Sequence, residues 1–149
     1  MKKASILIVD DNESILETLS AILEAKGYST DTAKNGREAI EKSKTNFYNL
    51  ALLDIRLPDI EGTKLLTKMK GNTPKMVKIM ITGYASLQNA VEAVNLGADA
   101  YVMKPVDPEK LLEIINEKLR AQREAEKMSQ GKVAEWIETR ARKLEKEMR

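Results

Sequence analysis

The sequence contains no cysteine and no histidine among its 149 residues. Without cysteine the chain cannot form disulfides, thiolate metal sites or a thiol nucleophile. Without histidine it offers no imidazole for catalysis or metal binding, and it cannot itself carry a phosphohistidine. Any reactive site must therefore be built from carboxylates, hydroxyls, amides and amines.

Long hydrophobic runs and a strong charge of one sign are also absent from the sequence. No apolar stretch approaches the roughly 18 residues of a membrane span, so we expect a cytoplasmic protein without one. Residues 1–119 hold 16 basic and 17 acidic side chains, and residues 120–149 hold 9 and 6. The body is therefore not a basic nucleic-acid binder, and we do not expect nucleic acid among its partners.

Five short runs rich in β-forming residues alternate with segments of helical spacing. The runs cover residues 5–9, 28–33, 49–53, 77–81 and 100–103. Gly27 should end the first helix, and Asp107-Pro108 should open the last one. This alternation predicts an α/β fold, a flavodoxin-like (βα)₅ doubly wound parallel sheet in the order 2-1-3-4-5, plus a C-terminal helical extension.

Acidic residues directly follow two of the predicted strands. Asp10 and Asp11 follow the first strand, and Asp54 follows the third. In the predicted order these strands are neighbours at the switch point, so the carboxylates should converge and require a hard cation such as Mg²⁺. Thr82 and Lys104 end the fourth and fifth strands and should face the same crevice. This set suits transfer of a phosphoryl group to Asp54.

Four segments resemble the motif set of response-regulator receiver domains, the CheY-like superfamily of two-component signalling. They are residues 6–13, 52–62, 79–84 and 97–105, and the resemblance spans about residues 4–120. We therefore expect a receiver domain at 1–120 and a charged helical extension at 121–149, amphipathic from about residue 132. The resemblance implies a domain that catalyses at most its own phosphorylation and dephosphorylation.

The resemblance also implies a role for each matching residue. Asp54 would accept phosphate from a histidine kinase or a phosphotransfer protein, and Asp10, Asp11, Asp54 and the Arg56 backbone carbonyl would hold Mg²⁺. Thr82 and Lys104 would bind the phosphoryl oxygens, Tyr101 would be an aromatic switch, and the Lys104-Pro105 bond would be cis. Phosphorylation would change an interaction surface on helix 4, strand 5 and helix 5. The residues expected to flank the pocket are Asn12, Arg56, Gly83, Tyr84 and Pro105.

Simpler interpretations exist for single residues and for the class. Asp11 or Asn12 could cap the helix that follows, and Gly62 and Gly97 are interpreted as structural, Gly62 for backbone freedom and Gly97 as a helix terminator. A phosphatase of the haloacid-dehalogenase type would need a second acid two residues after the nucleophile, where this chain has Arg56. A degenerate receiver used only as a scaffold would not need the complete set of acids and Lys104.

The last 30 residues leave the output open. We expect the final helix to continue past residue 120 and Gly131 to interrupt it. Beyond Gly131, an apolar stripe should require cover: Val133, Ile137, Ala141, Leu144 and Met148. The stripe could dock on its own receiver or fray, form a homodimer, bind a kinase or an unknown downstream protein, or touch nucleic acid or an anionic surface. The output is then either a switch acting through protein contacts or a DNA-linked regulator.

Overall fold

The computed structural model describes residues 4–69, 75–83 and 87–148, and for residues 87–89 it describes the backbone alone. The strands are β1 (Ser5–Val9), β2 (Ser29–Ala33), β3 (Leu50–Asp54), β4 (Val77–Thr82) and β5 (Ala100–Met103). The helices are α1 (Glu13–Ala25), α2 (Gly36–Thr45), α3 (Gly62–Lys68), α4 (Leu87–Asn95) and α5 (Pro108–Met148). All strand pairs are parallel and the order is β2-β1-β3-β4-β5, which confirms the predicted flavodoxin-like fold.

The central strands are apolar along their whole length because both faces of the sheet are covered. Successive side chains of β1 point to opposite faces, so Ile6 and Ile8 join one core cluster while Leu7 and Val9 join the other. Helices α1 and α5 close the first cluster, and α2 and α3 contribute to the second. This two-sided burial explains why the sequence pattern of β1 and β3 does not alternate.

Helix ends fall where the local sequence places them. The Asn12 side chain accepts a hydrogen bond from the Ile15 backbone N–H (3.3 Å), so Asn12 caps α1. Gly27 and Gly97 adopt positive φ angles of 90° and 104° two residues after the ends of α1 and α4, which confirms both as helix terminators. Asp107 accepts a hydrogen bond from the Glu109 N–H (3.0 Å) at the start of α5.

The last helix differs from the prediction. Helix α5 runs without a break through Gly131 to Met148, so the predicted interruption is wrong. Glycine costs about 1 kcal/mol relative to alanine in a helix, and the flanking glutamate, lysine, alanine and arginine residues favour the helix enough to offset it. Every residue from 127 to 148 is exposed, so docking of the stripe on its own receiver is also wrong. None of the described helices is both long and apolar enough to cross a membrane.

Candidate functional site

Three carboxylates meet at the carboxyl edge of the sheet. Asp10 follows β1 and Asp54 ends β3, and the two strands pair with Val9 opposite Leu53. One oxygen from each of Asp10, Asp11 and Asp54 lies within 4.8 Å of the others. Asp10 and Asp54 are buried, with 3% and 8% of their surface exposed, while Asp11 is exposed. The predicted convergence of these three acids is thus present in the structure.

Lys104 reaches this cluster from the end of β5, two strands away from β3. Its Nζ lies 3.0 Å from Asp10 Oδ2 and 3.5 Å from Asp54 Oδ2. Its backbone N–H donates to the Thr82 carbonyl (2.7 Å), which fixes the start of the loop after β5. The Lys104-Pro105 peptide bond is cis, as the resemblance implied. The ammonium group therefore bridges the two buried carboxylates.

The electrostatics of Asp54 reflect its crowding. Burial raises the pKa of Asp54, and the charge of Asp10 raises it further. The Lys104 ammonium lowers the pKa of Asp54, as does the Arg56 backbone N–H, which donates to Asp54 Oδ1 (3.3 Å), but neither restores the ordinary value. The charged form of Asp54 is thus destabilised in the folded protein, and further positive charge would stabilise it.

Lys104 shows the complementary behaviour. Burial lowers the pKa of Lys104, but the hydrogen bond to Asp10 and the charges of Asp54 and Asp10 outweigh burial and raise it. The side chain therefore carries a full positive charge at neutral pH. A partly buried ammonium with two carboxylate partners is positioned to bind a third anionic group at the same place.

The loop after β3 is held against the site by close backbone packing. The Gly62 N–H donates to the Ile55 carbonyl (2.6 Å), and Arg56 pairs with Glu61 in an isolated bridge. A Cβ at Gly62 would lie 2.2 Å from the Asp54 carbonyl oxygen and 2.7 Å from the Ile55 Cα. Gly62 is therefore required by close approach, and the sequence interpretation that it supplies backbone freedom was wrong.

Sequence reasoning missed Asp59, which ties this loop to a neighbouring helix. Its carboxylate accepts hydrogen bonds from the backbone N–H groups of Gly36 (2.8 Å) and Arg37 (3.0 Å) at the start of α2. The first of these bonds is the main reason that the pKa of Asp59 is lowered. The Asn35 side chain caps α2 locally by accepting from the Glu38 N–H (2.8 Å), but the partner that completes the cap is 23 residues away. No local pattern identifies such a partner.

The remaining predicted residues lie around the same edge. Thr82 ends β4 and is fully buried, with 0% of its surface exposed. Tyr101, opposite Met80 in the β4–β5 pairing, is partly buried against the cluster that contains Leu53 and Ala93. Tyr84 lies outside the described residues. The Asn12 backbone N–H donates to Asp10 Oδ1 (2.9 Å). The other flanking positions, all exposed, are Arg56, Gly83 and Pro105.

This combination of fold and site defines a class. Five parallel strands in this order, with acids at the switch point and a lysine from the last strand, describe a receiver. The family model described as the response regulator receiver domain matches residues 6–116. The chain belongs to this family, the phosphorylation-linked signalling domain of two-component systems.

Known proteins with similar sequences and folds agree with this assignment. A CheY-like receiver domain protein from Methanospirillum hungatei JF-1 has a TM-score of 0.78 and 52% identity, covering 82% of this chain and 98% of that one. A Burkholderia pseudomallei response regulator, solved with a phosphorylated aspartic acid, calcium ion and citrate, has a TM-score of 0.68 and 32% identity, covering 74% and 65%.

The curated relatives are longer proteins. The Escherichia coli K12 regulatory protein AtoC is 37% identical over 117 residues, 78% of this chain and 25% of that protein. The Rhizobium meliloti acid tolerance regulatory protein ActR is 37% identical over 108 residues, 72% of this chain and 56% of that protein. The chain thus spans between a quarter and about half of the length of these relatives.

Proposed function

We propose that this chain is a phosphorylation switch in which Asp54 accepts a phosphoryl group from the phosphohistidine of a histidine kinase or a phosphotransfer protein. The observation that supports it best is the cluster itself. One oxygen from each of three carboxylates lies within 4.8 Å of the others. Lys104 contacts the two buried carboxylates, Asp10 and Asp54. Asp54 is the member at the end of the central strand β3, and a donor would approach it from the carboxyl edge of the sheet.

The chemistry of the donor set fits a magnesium ion. Mg²⁺ prefers oxygen ligands and binds through a few carboxylates together with water and phosphate. The raised pKa of Asp54 arises from burial and from Asp10, and a divalent cation beside both would relieve that repulsion. Asp10, Asp11, Asp54 and the Arg56 backbone carbonyl are the groups that would hold it. When bound, Mg²⁺ would neutralise charge on the phosphoryl oxygens.

In the proposed transfer the Asp54 carboxylate attacks phosphorus. A bond forms between an Asp54 Oδ atom and phosphorus, the phosphorus–nitrogen bond to the donor imidazole breaks, and the imidazole leaves with its electron pair and takes up a proton. The Lys104 ammonium, held 3.5 Å from Asp54 Oδ2, binds one phosphoryl oxygen and keeps its proton. The Thr82 hydroxyl, at the end of the adjacent strand, donates to another.

The output would be read from the face formed by α4, β5 and α5. The phosphoryl group would carry about 1.5 to 2 negative charges in place of the single charge of the Asp54 carboxylate, which would draw in Thr82 and give Tyr101 room to move inward. Three large apolar side chains on this face are half exposed or more, which supports a protein partner there: Val91, Val94 and Met103. Arg56, which lies beside the proposed pocket, and Tyr84, which follows Thr82 by two residues in the sequence, would tune how fast water removes the phosphate.

The domain boundaries are part of the proposal. We assign residues 1–120 to the receiver and residues 121–149 to a helical extension. The Gln122 amide N–H₂ donates to the carbonyls of Asn49 (2.9 Å) and Lys75 (2.8 Å), close to the point where α5 leaves the sheet. These bonds tie the first turn of the extension to the receiver, and every residue from 127 to 148 is exposed, which supports a boundary close to residue 120.

The test is phosphorylation with acetyl phosphate and Mg²⁺, read by intact-protein mass spectrometry. The wild-type chain should gain one base-labile phosphoryl group, and Asp54→Asn should gain none. Asp31→Asn is the matched control, because Asp31 is an acid in β2 that pairs with Lys42 away from the cluster. Full labelling of Asp54→Asn would show that the phosphoacceptor has been assigned to the wrong residue.

A second candidate output is DNA-linked transcription control. It is favoured by the names of relatives such as the Klebsiella oxytoca transcriptional regulatory protein ZraR, of which this chain spans about a quarter. In that case the basic tail or an effector domain beyond this sequence would bind DNA. Binding of the chain to random duplex DNA, falling steeply with salt, would support a role for the tail. Phosphorylation-dependent capture of a protein partner would support the first output.

A further inference from the structure

The loop between β3 and α3, residues 55–61, is fastened at its base and at its tip. At the base, the Gly62 N–H donates to the Ile55 carbonyl (2.6 Å). At the tip, the Asp59 carboxylate accepts hydrogen bonds from the first N–H groups of α2. The loop is therefore held twice, once by the strand that it follows and once by a helix that precedes β3 in the chain.

The contact at the tip combines hydrogen bonds with close packing. Asp59 Oδ1 accepts from the Gly36 N–H (2.8 Å), and Asp59 Oδ2 accepts from the Arg37 N–H (3.0 Å). A Cβ at Gly36 would lie 2.0 Å from the Ile60 Cγ2, so the loop sits directly against the start of the helix. The contacts of Asp59 with Gly36 and Arg37, and of Ile60 with Gly36, are called the loop clasp below.

Helix α2 also has a cap that does not involve the loop. The Asn35 side chain accepts from the Glu38 N–H (2.8 Å), and Glu38 Oε2 accepts from the Lys34 N–H (3.3 Å). Both contacts are local, as is usual at the start of a helix. The two acceptors from Asp59 come in addition to this cap, and they fix the position of the loop relative to α2.

Arg56 lies between the two fastened points of the loop. Its backbone N–H donates to Asp54 Oδ1 (3.3 Å), and Arg56 pairs with Glu61 across the loop. Its carbonyl is the proposed backbone ligand of Mg²⁺. A carboxylate side chain can rotate toward an ion, but a backbone carbonyl moves only with its loop. Because Mg²⁺ requires nearly octahedral ligands at about 2.0–2.1 Å, a loop released at its tip would lose this ligand.

We propose that Asp59 is a positioning residue of the magnesium site, which acts through the loop clasp on the Arg56 carbonyl. This role rests on the proposed function, since it requires an ion at the three carboxylates. The Asp59 carboxylate is engaged with α2 and does not itself bind the ion. Its loss should weaken binding of a divalent ion about tenfold, the lower end of the effect of residues that hold metal ligands in place.

Binding of Mn²⁺ tests this role without a phosphodonor, because Mn²⁺ takes the same oxygen ligands as Mg²⁺. The loss of the electron paramagnetic resonance signal of free Mn²⁺ measures the affinity. Asp59→Ala should bind Mn²⁺ about tenfold more weakly than the wild type. Asp59→Asn should recover part of the affinity, because its amide oxygen still accepts the Gly36 N–H. Asn35→Ala is the matched control, since it removes the local cap of α2 but keeps the clasp, and it should bind as the wild type does.

The Mg²⁺ dependence of labelling by acetyl phosphate separates weaker ion binding from a general loss of structure. For Asp59→Ala, the Mg²⁺ concentration at half-maximal rate should rise about tenfold, while the rate at saturating Mg²⁺ should equal that of the wild type. Asp59 is exposed, so we expect this variant to fold, and urea unfolding checks it. A lower maximal rate at an unchanged half-maximal Mg²⁺ concentration would contradict positioning of a metal ligand.

The outcomes distinguish the role of Asp59 from the proposed function. Wild-type Mn²⁺ affinity in Asp59→Ala, or an equal loss of affinity in Asn35→Ala, would overturn the role of Asp59 and leave the phosphoacceptor assignment intact. A wild type that binds no Mn²⁺, or an unchanged affinity in Asp10→Asn, would overturn the metal site itself and this role with it.

Discussion

Replacing Gly62 by alanine should destabilise the fold and disturb the acidic site together. The added Cβ would lie 2.2 Å from the Asp54 carbonyl oxygen, 2.7 Å from the Ile55 Cα and 2.9 Å from the Met80 Cε. The methionine end can move, but the other two atoms belong to the backbone of Asp54 and Ile55. Because neither can yield without shifting β3 or the loop after it, strain must be distributed through both.

The magnitude follows from this overlap. Adding one methyl group to a packed site costs about 1–3 kcal/mol, and an overlap of more than about 1 Å with backbone belongs at the upper end. Alanine also lowers the conformational entropy of the unfolded chain relative to glycine, but this stabilises the folded protein by only about 0.4–1 kcal/mol. We therefore expect a net loss of about 2 kcal/mol in the free energy of unfolding, or roughly 4–8 °C in the melting temperature.

Urea unfolding of the wild type and Gly62→Ala measures this difference, and Gly83→Ala is the matched control. Gly83 also follows a strand at the same edge, but a Cβ there would meet nothing within 4 Å. Gly62→Ala should also take up phosphate from acetyl phosphate more slowly than Gly83→Ala. A Gly62→Ala variant that unfolds within about 0.5 kcal/mol of the wild type would refute the reasoning from close approach.

Three further predictions concern other contacts. Asp54→Asn should stabilise the fold at neutral pH, since burial and Asp10 raise the pKa of Asp54 above its usual 3.8. Between pH 3.8 and the raised pKa, the folded state holds a proton that the unfolded state releases, so the wild type loses stability as the pH rises through this range. In urea unfolding at several pH values, the extra stability of Asp54→Asn over the wild type should therefore shrink as the pH falls toward 3.8. Extra stability that does not change with pH would contradict this reasoning. Asn12→Ala should lower the free energy of unfolding by about 1 kcal/mol, because the cap of α1 is missing. The control is Glu17→Ala, at an exposed position of the same helix, and equal stability of the two variants would contradict the role of Asn12 as a cap. Gly131→Ala should strengthen the tail helix by about 1 kcal/mol, seen as helical circular dichroism that persists to higher temperature, and unchanged melting of the helical signal would contradict it.

Much of the fold could be predicted because its signals are local. The five runs of β-forming residues, the cap at Asn12, and the glycines at 27 and 97 each act through neighbours in sequence. Order and handedness follow from general rules for alternating strands and helices. The convergence of Asp10, Asp11 and Asp54 followed from their positions at strand ends.

Predictions failed where the deciding contact is distant in sequence or absent. The reason for Gly62 is the backbone of Asp54 and Ile55, and the role of Asp59 depends on the N–H groups of Gly36 and Arg37. Gly131 was expected to interrupt α5 because its propensity was considered without the strong helix formers around it.

The sequence by itself determined the strands, the helices and the acids at their ends, because periodicity and capping are properties of consecutive residues. Only the tertiary structure decided how Lys104 divides its contacts, 3.0 Å from Asp10 and 3.5 Å from Asp54. It also decided that the apolar side chains of α5 are buried from Leu111 to Leu119 and exposed from Val133 to Met148. Those facts depend on how separate elements pack against each other, which no local pattern encodes.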